Sequence, residues 1–177
     1  MHFDLGRFLP YLLNRAGSEI AGSFAVELKP YRLSLQKWRM LAALHHAPEQ
    51  RVGTLAEFTS IDVWTVSRLA RRLENQGLVE RLPVDGDGRG VCLRLSAKGR
   101  AVVGDLVPIA LKYEAAMFAG FSEDERAVLR DLLVRAHRNM TTATAAGRAA
   151  AAPKPVAAAP AAPTAAPADG WQAAGGE

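Results

Sequence analysis

Cysteine and long apolar runs are scarce in this sequence of 177 residues. Its single cysteine, Cys92, excludes a disulfide within the chain and fits a reducing compartment. No run of about 18 apolar residues occurs, so no transmembrane helix is expected. Residues 1–10 contain an acid, Asp4, and lack the basic-then-apolar order of a signal peptide. We therefore expect a cytoplasmic protein without a membrane partner.

Groupings of catalytic or metal-ligating residues are also missing. The sequence shows no P-loop, no paired carboxylates and no Ser/His/Asp grouping, so we predict neither an enzyme nor a cofactor. His45 and His46 are adjacent and diverge by about 100° on a helix, which does not favour a shared metal. Cys92 lies on a predicted strand without a partner cysteine, so a structural role is favoured over redox sensing.

Charge and composition are compatible with a nucleic-acid partner but do not establish one. Hydrophobic residues make up 49% and charged residues 23%, which is typical of one globular domain. The net charge is +4 and the isoelectric point is about 9.6. A mildly basic chain of this kind can bind nucleic acid, although a solvated basic surface explains the charge equally well.

The composition changes abruptly near Thr141. Residues 141–177 hold 17 alanines and 5 prolines among 37 residues. Prolines interrupt any continuous helix, and few large apolar side chains are available to bury. We predict a folded domain over residues 1–140, with a lobe over about 34–100, and a disordered tail over 141–177.

The folded part reads as mainly helical, with local signals at the predicted helix ends. A first helix begins near Pro10 and stops before Pro30, and Ser34 is an N-cap for a second. A capping box at Thr54–Glu57 predicts the start of a third helix. A fourth helix is expected to begin at Asp62 and to end at Gly77. The fifth begins at Ser96 and contains Pro108, which predicts a kink. The sixth begins at a second capping box, Ser122–Glu125.

The fourth predicted helix has two contrasting faces. An apolar stripe, predicted to be buried, comprises Val66, Leu69, Ala70 and Leu73. The other face carries polar, aromatic and cationic side chains that can contact base edges and phosphates: Trp64, Thr65, Ser67, Arg68, Arg71 and Arg72. A solvated amphipathic helix is the alternative interpretation of this pattern.

A β-hairpin is predicted to follow that helix. Residues 78–82 and 91–95 suit short strands, and the turn formers at 83–90 predict a long flexible loop. Arg89 in this loop suits the DNA minor groove, and Asp87 can hold its side chain in position. A mobile surface turn without a binding role is the alternative.

Four segments resemble the MarR family of multiple-antibiotic-resistance regulators. They are residues 33–44, with Leu-Ser-Leu-Gln-Lys-Trp-Arg, residues 65–81, with Ser-Arg-Leu-Ala-Arg-Arg-Leu-Glu, the wing Asp87-Gly-Arg89, and Leu95-Ser-Ala-Lys-Gly-Arg100. The resemblance implies a winged helix-turn-helix fold, mainly α with a small hairpin wing, and a homodimer held by N- and C-terminal helices. Many members have Asp-Arg-Arg in the wing, so Gly88 is a departure that removes one possible backbone contact.

The resemblance also implies a function. We expect a regulator that binds double-stranded DNA in a sequence-specific way, acting as a repressor released by a small aromatic or anionic effector. The effector pocket is predicted to include Tyr11, Arg15, Trp38 and His45. The alternative is a winged-helix module that binds proteins rather than DNA.

Overall fold

The computed structural model describes residues 3–84 and 87–151, with side chains described except at 84, 87–90 and 145–151. Its helices are α1 (Leu9–Leu28), α2 (Leu35–His46), α3 (Val52–Thr59), α4 (Val63–Asn75), α5 (Ala97–Met117) and α6 (Glu123–Ala151). Its strands are β1 (Gln50–Arg51), β2 (Val79–Val84) and β3 (Asp87–Leu95). The chain divides after Phe121 into two compact units. The fold is mainly α with a small antiparallel sheet, as predicted.

Most helix starts follow the local capping signals. The side chains of Ser34 and Ser96 accept hydrogen bonds from backbone N–H groups in the first turns of α2 and α5, at 3.3 and 2.9 Å. At α6 the capping box is reciprocal, since Ser122 N–H donates to Glu125 at 2.8 Å and Glu125 N–H donates to Ser122 Oγ at 3.2 Å. These side chains satisfy N–H groups that the helix itself leaves unpaired.

The third helix begins earlier than predicted, and the capping box at Thr54 was wrong. Helix α3 starts at Val52 after Arg51, which caps it without a side-chain hydrogen bond, so Thr54 lies inside the helix. The reason is a strand that the sequence analysis missed. In β1, Gln50 and Arg51 pair with Leu93 and Cys92 of β3, and this pairing fixes where the chain can turn into the helix.

The hairpin is longer than predicted and its loop is shorter. Strands β2 and β3 remain paired as far as Val84 and Asp87, so the expected loop over residues 83–90 was wrong. Between those two residues lie only Asp85 and Gly86, which are outside the described residues. Pro83 fits within β2 because this strand is at the edge of the β1–β3–β2 sheet and its register shifts between Pro83 and Val84.

The hydrophobic core lies among α2, α3, α4, α5 and the sheet. The predicted stripe of α4 is buried, with Val66, Leu69, Ala70 and Leu73 each at most 4% exposed. Helix α1 contributes to this core through its C-terminal end, where Phe24 and Leu28 are its buried residues. The core therefore fixes the orientation of α4 and leaves its opposite face open.

Helix α6 runs beyond the predicted start of the tail. It continues through Thr141 to Ala151, so helix persists over residues that we expected to be disordered. Alanine has the highest helix propensity, and the first proline of the tail comes only at position 153. Within the described ranges, no helix combines the length and apolar character that a membrane span requires.

Candidate nucleic-acid interface

Helices α3 and α4 form a helix-turn-helix whose turn is held by backbone hydrogen bonds. Ser60 adopts a left-handed conformation with φ of 55°, and its N–H donates to Glu57 O at 3.3 Å. Ile61 N–H donates to Ala56 O at 3.2 Å, and the Ile61 side chain is buried. The buried side chain and these bonds fix the angle between the two helices.

Asp62 is the N-cap of α4, as predicted. Its carboxylate accepts a hydrogen bond from Thr65 N–H at 2.8 Å. The hydrogen bonds from the Thr65 backbone and side chain, aided by the nearby Arg68 guanidinium, hold the pKa of Asp62 below its ordinary value. The cap thus defines the first turn of α4, where the predicted contact residues begin.

The exposed face of α4 carries the residues predicted to contact DNA. Trp64 is 84% exposed, and Arg68, Arg71 and Arg72 are also exposed. Thr65 and Ser67 are half-buried. A rigid helix of this kind can present guanidinium groups to phosphates or to guanine edges while its other side anchors it in the core. The six residues share one helix, and their contacts with DNA stay a prediction.

The cationic surface extends from α4 onto α2 through a residue that sequence reasoning missed. Lys37 lies half-buried on α2, and its ammonium donates to Gln76 Oε1 at 3.1 Å. Burial, followed by repulsion from Arg72, lowers the pKa of Lys37. The two cations are 35 residues apart in sequence, so only tertiary packing brings them together.

For Asp87 and Arg89 of the wing, the structure describes the backbone only. Asp87 and Arg89 belong to β3, with Asp87 paired to Val84 of β2. Their side chains lie outside the described residues. Nearer the base of the hairpin, Arg94 donates to Glu80 on the neighbouring strand at 2.8 Å and lies 3.6 Å from Glu49. These pairs join β3 to β2 and to the segment before β1.

The predicted effector residues lie on two different helices, α1 and α2. Tyr11 and Arg15 lie exposed on the first half of α1. Trp38 is half-buried and packs on Phe24, with ring centroids 5.4 Å apart. Arg15 lies nine positions before Phe24 on α1, which corresponds to a distance of about 13 Å along the helix axis. His45 is exposed at the end of α2. A pocket formed by these four residues stays a prediction.

An exposed aromatic pair lies at the end of α3 and was not anticipated. Phe58 is 60% exposed and stacks on His46, with ring centroids 5.6 Å apart and planes inclined by 19°. In the sequence, His46 stood out only as a metal ligand that its neighbour His45 does not favour. The stacking gives it a packing role instead.

A helix-turn-helix followed by a paired hairpin defines the class of winged helix-turn-helix DNA-binding proteins. The MarR family profile matches residues 33–90. The chain is 31% identical to the transcriptional regulator PecS of Dickeya dadantii over 117 residues, covering 62% of this chain and 68% of PecS. A MarR family regulator from Silicibacter pomeroyi is 31% identical, with a TM-score of 0.71 over 77% of this chain and 92% of that structure.

A third relative of known structure is BpsR of Bordetella bronchiseptica, whose DNA binding is regulated by 6-hydroxynicotinic acid. BpsR is 25% identical to this chain. Its TM-score is 0.69, over 77% of this chain and 98% of BpsR. From the family profile and the coverage of PecS, we conclude that the chain belongs to the MarR family of transcriptional regulators.

Proposed function

We propose that this protein is a homodimeric repressor that reads DNA with α4 in the major groove and the wing in the minor groove. The observation that carries the proposal is the structure of α4. Its apolar side is locked in the core, and its open side presents three arginines and an exposed tryptophan. Arg89 of the wing would supply the minor-groove contact, with Asp87 orienting it.

A DNA-binding experiment tests this proposal directly. Selection from random duplexes should enrich a near-palindromic site, with half-sites about 34 Å apart to match a twofold dimer. Arg68→Ala, Arg71→Ala and Arg89→Ala should each weaken binding to the selected site. Arg138→Ala, which removes an exposed arginine of α6, is the matched control and should bind as the wild type does. A protein that enriches no motif would instead fit a protein-interaction module.

The dimer is supported by exposed apolar side chains on three helices. Leu9, Leu12 and Leu13 are exposed on α1, Leu111 on α5, and Val128, Leu132 and Leu133 on α6. A small domain rarely leaves so many large apolar residues in water unless another surface covers them. We assign these helices to dimerisation, within a folded domain over residues 1–140 and apart from the alanine- and proline-rich tail.

Release by a small ligand completes the proposal. BpsR offers a precedent in its regulation by an aromatic acid. A ligand that binds one arrangement of the two reading helices better than another shifts the protein away from the spacing that DNA requires. Such a regulator acts in the cytoplasm, on chromosomal DNA. Titrating the protein–DNA complex with aromatic acids, with anisotropy as the readout, tests whether any of them lowers DNA affinity.

A further inference from the structure

Trp64 is the most exposed large apolar side chain among the residues that the structure describes, at 84%. It is the second residue of α4 and directly follows Val63, which is 51% exposed. Among the described side chains, no ring contact holds the indole in place. An indole in water forgoes the free energy of its burial, so a partner that covers the ring is favoured.

Trp64 lies on the side of α4 that faces away from the core. Successive helical residues turn by about 100°, so Trp64 is about 170° from the centre of the buried apolar stripe. Arg68 and Arg71 follow four and seven positions later, and side chains at this spacing lie one above another on the same face. The outer face therefore begins with an aromatic ring and continues with two guanidinium groups.

The first turn of α4 differs in charge from the turns that follow. Val63, Trp64 and Thr65 are uncharged, and the N-cap Asp62 carries a carboxylate, which accepts the Thr65 N–H hydrogen bond at 2.8 Å. This carboxylate offsets the positive end of the helix dipole and repels phosphate. Contacts with phosphate are therefore favoured at the arginines, and contacts with a base edge at the first turn.

Thymine is the base whose major-groove edge carries an apolar group, the C5-methyl. The N-terminal residues of a recognition helix are those that approach the base edges. An exposed indole offers the methyl group an apolar surface, while a guanidinium prefers the O6 and N7 acceptors of guanine. The order of side chains along α4 thus matches a thymine followed by a base that arginine contacts.

We propose that Trp64 recognises the C5-methyl group of one thymine in each half-site. Four helical residues, from Trp64 to Arg68, span about 6 Å, and base pairs are stacked about 3.4 Å apart, so this thymine lies about two base pairs from the base that Arg68 contacts. The inference rests on the proposed DNA-binding function and goes beyond it, because neither the arginines nor the family relationship specifies this base.

The size of the apolar surface favours a base over a protein partner. Trp64 and Val63 are two side chains, whereas a stable protein–protein interface buries about 800 Å² on each partner. Toward the C-terminal end of α4, the same face continues into Arg68 and Arg71 rather than into further apolar residues. A methyl group on a polyanion fits such a surface in both size and charge.

Removal of single methyl groups from the DNA tests this inference on the full-length protein. Each thymine of the selected duplex is replaced in turn by deoxyuridine, which lacks only the C5-methyl, and affinity is measured by anisotropy. At one thymine of each half-site, we expect uracil to weaken binding of the wild type by about fourfold, the usual effect of leaving one methyl group unburied. Uracil elsewhere in the half-site should have a smaller effect.

Variants of the protein assign the methyl group to a residue. Trp64→Ala should bind the thymine and uracil duplexes equally, and Trp64→Phe, which keeps a smaller ring, should retain part of the difference. Phe58→Ala removes an exposed aromatic ring of α3 and is the control. Whatever its overall affinity, this variant should keep the full thymine preference. The melting temperature of Trp64→Ala should equal that of the wild type, because the ring is outside the core.

Each outcome bears on one of the two proposals. If the wild type binds the selected site but no uracil weakens it, the inference is wrong and the DNA-binding function stands. If uracil weakens Trp64→Ala as much as the wild type, another residue contacts the methyl group and the inference is again wrong. A protein that enriches no DNA site overturns the function and the inference together. If Trp64→Ala fails to fold, an unchanged thymine preference in Trp64→Phe and an absent one in the wild type still count against Trp64.

Discussion

At the scale of single residues, Asp62 links the start of α4 to the protonation of one carboxyl group. Its carboxylate accepts the Thr65 N–H hydrogen bond, and its pKa is lower in the folded chain than its ordinary value. A depressed carboxyl pKa stabilises the fold above the unfolded-state pKa of about 4. The contribution is lost as the pH falls through the lower, folded-state pKa.

Replacement of Asp62 separates its charge from its hydrogen bond. Asp62→Ala should lower the melting temperature at pH 7, because the first turn of α4 loses its acceptor. Asp62→Asn keeps an acceptor and should retain most of the stability at pH 7, while its melting temperature falls less than that of the wild type between pH 5 and pH 3. Thermal melts followed by circular dichroism measure both effects. Identical pH dependence in wild type and Asp62→Asn would contradict the assignment.

Two glycines of α5 give a second test at this scale. Gly99 packs so closely on Leu78 that an added Cβ would clash with the Leu78 carbonyl oxygen, whereas at Gly104 no described atom lies within 4 Å of the added Cβ apart from the chain neighbours and the nearby backbone of α5 itself. Gly99→Ala should destabilise the protein by about 1–3 kcal/mol, the usual cost of overpacking. Gly104→Ala should be neutral or stabilise it by up to about 1 kcal/mol through helix propensity. Urea unfolding measures both values, and a stabilising Gly99→Ala would show that the contact yields easily.

At the scale of elements, the helices that the sequence predicted correctly are those whose first turn is capped by a side chain close to it in sequence. Asp62, Ser96 and Ser122 cap their helices within three residues of themselves, so the signal and the structure coincide. The two-residue strand β1 has no such signal, because its pairing with Leu93 and Cys92 joins positions about 40 residues apart. Missing β1 also led to the wrong start for α3.

The candidate site also has a part that local sequence predicts and a part that depends on tertiary packing. The exposed face of α4 was predictable because helical periodicity separates Val66, Leu69, Ala70 and Leu73 from the other side. The contribution of Lys37 to this surface was not predictable, since Lys37 and Arg72 come from separate segments that meet only in the folded chain.

The arginines of α4 are expected to differ in what they contact. A residue that contacts a phosphate weakens binding to all sequences alike and reduces the salt slope by about 1 when it is removed. A residue that reads a base costs about 1–3 kcal/mol and relaxes specificity at its position. We expect Arg68, in the N-terminal half of α4, to behave as a base reader, and Arg72, beside Lys37, as a phosphate contact.

Salt titrations of Arg68→Ala and Arg72→Ala against the selected site and a scrambled duplex distinguish these roles. Arg72→Ala should weaken binding to both duplexes equally. Arg68→Ala should narrow the difference in affinity between the selected site and the scrambled duplex. The reverse pattern would mean that α4 enters the groove with its C-terminal end.

At the scale of the whole molecule, the two compact units raise the question of what covers their apolar surfaces. In the first unit, α1 has buried residues only at Phe24 and Leu28 among its described side chains. Over its N-terminal half, Leu9 is 69% exposed and Leu13 is 48% exposed. Covering such side chains is worth about 25 cal/mol for each Å² of apolar area removed from water, so their burial against a second copy of the chain would contribute to pairing.

We therefore predict that the protein is a dimer at micromolar concentration and that α1 is part of the interface. Leu13→Asp places a charge at the predicted contact and should shift the sedimentation coefficient towards that of a monomer, because an unpaired charge is costly to bury. Val63→Asp is the control: it also replaces an exposed aliphatic residue by aspartate, in the first turn of α4, where an acid is compatible with the helix dipole. This variant should stay dimeric. A chain shortened to residues 1–151 should also stay dimeric, because it keeps the whole of α6 as described. A wild-type protein that sediments as a monomer, or a Leu13→Asp variant that remains as dimeric as Val63→Asp, would remove α1 from the interface.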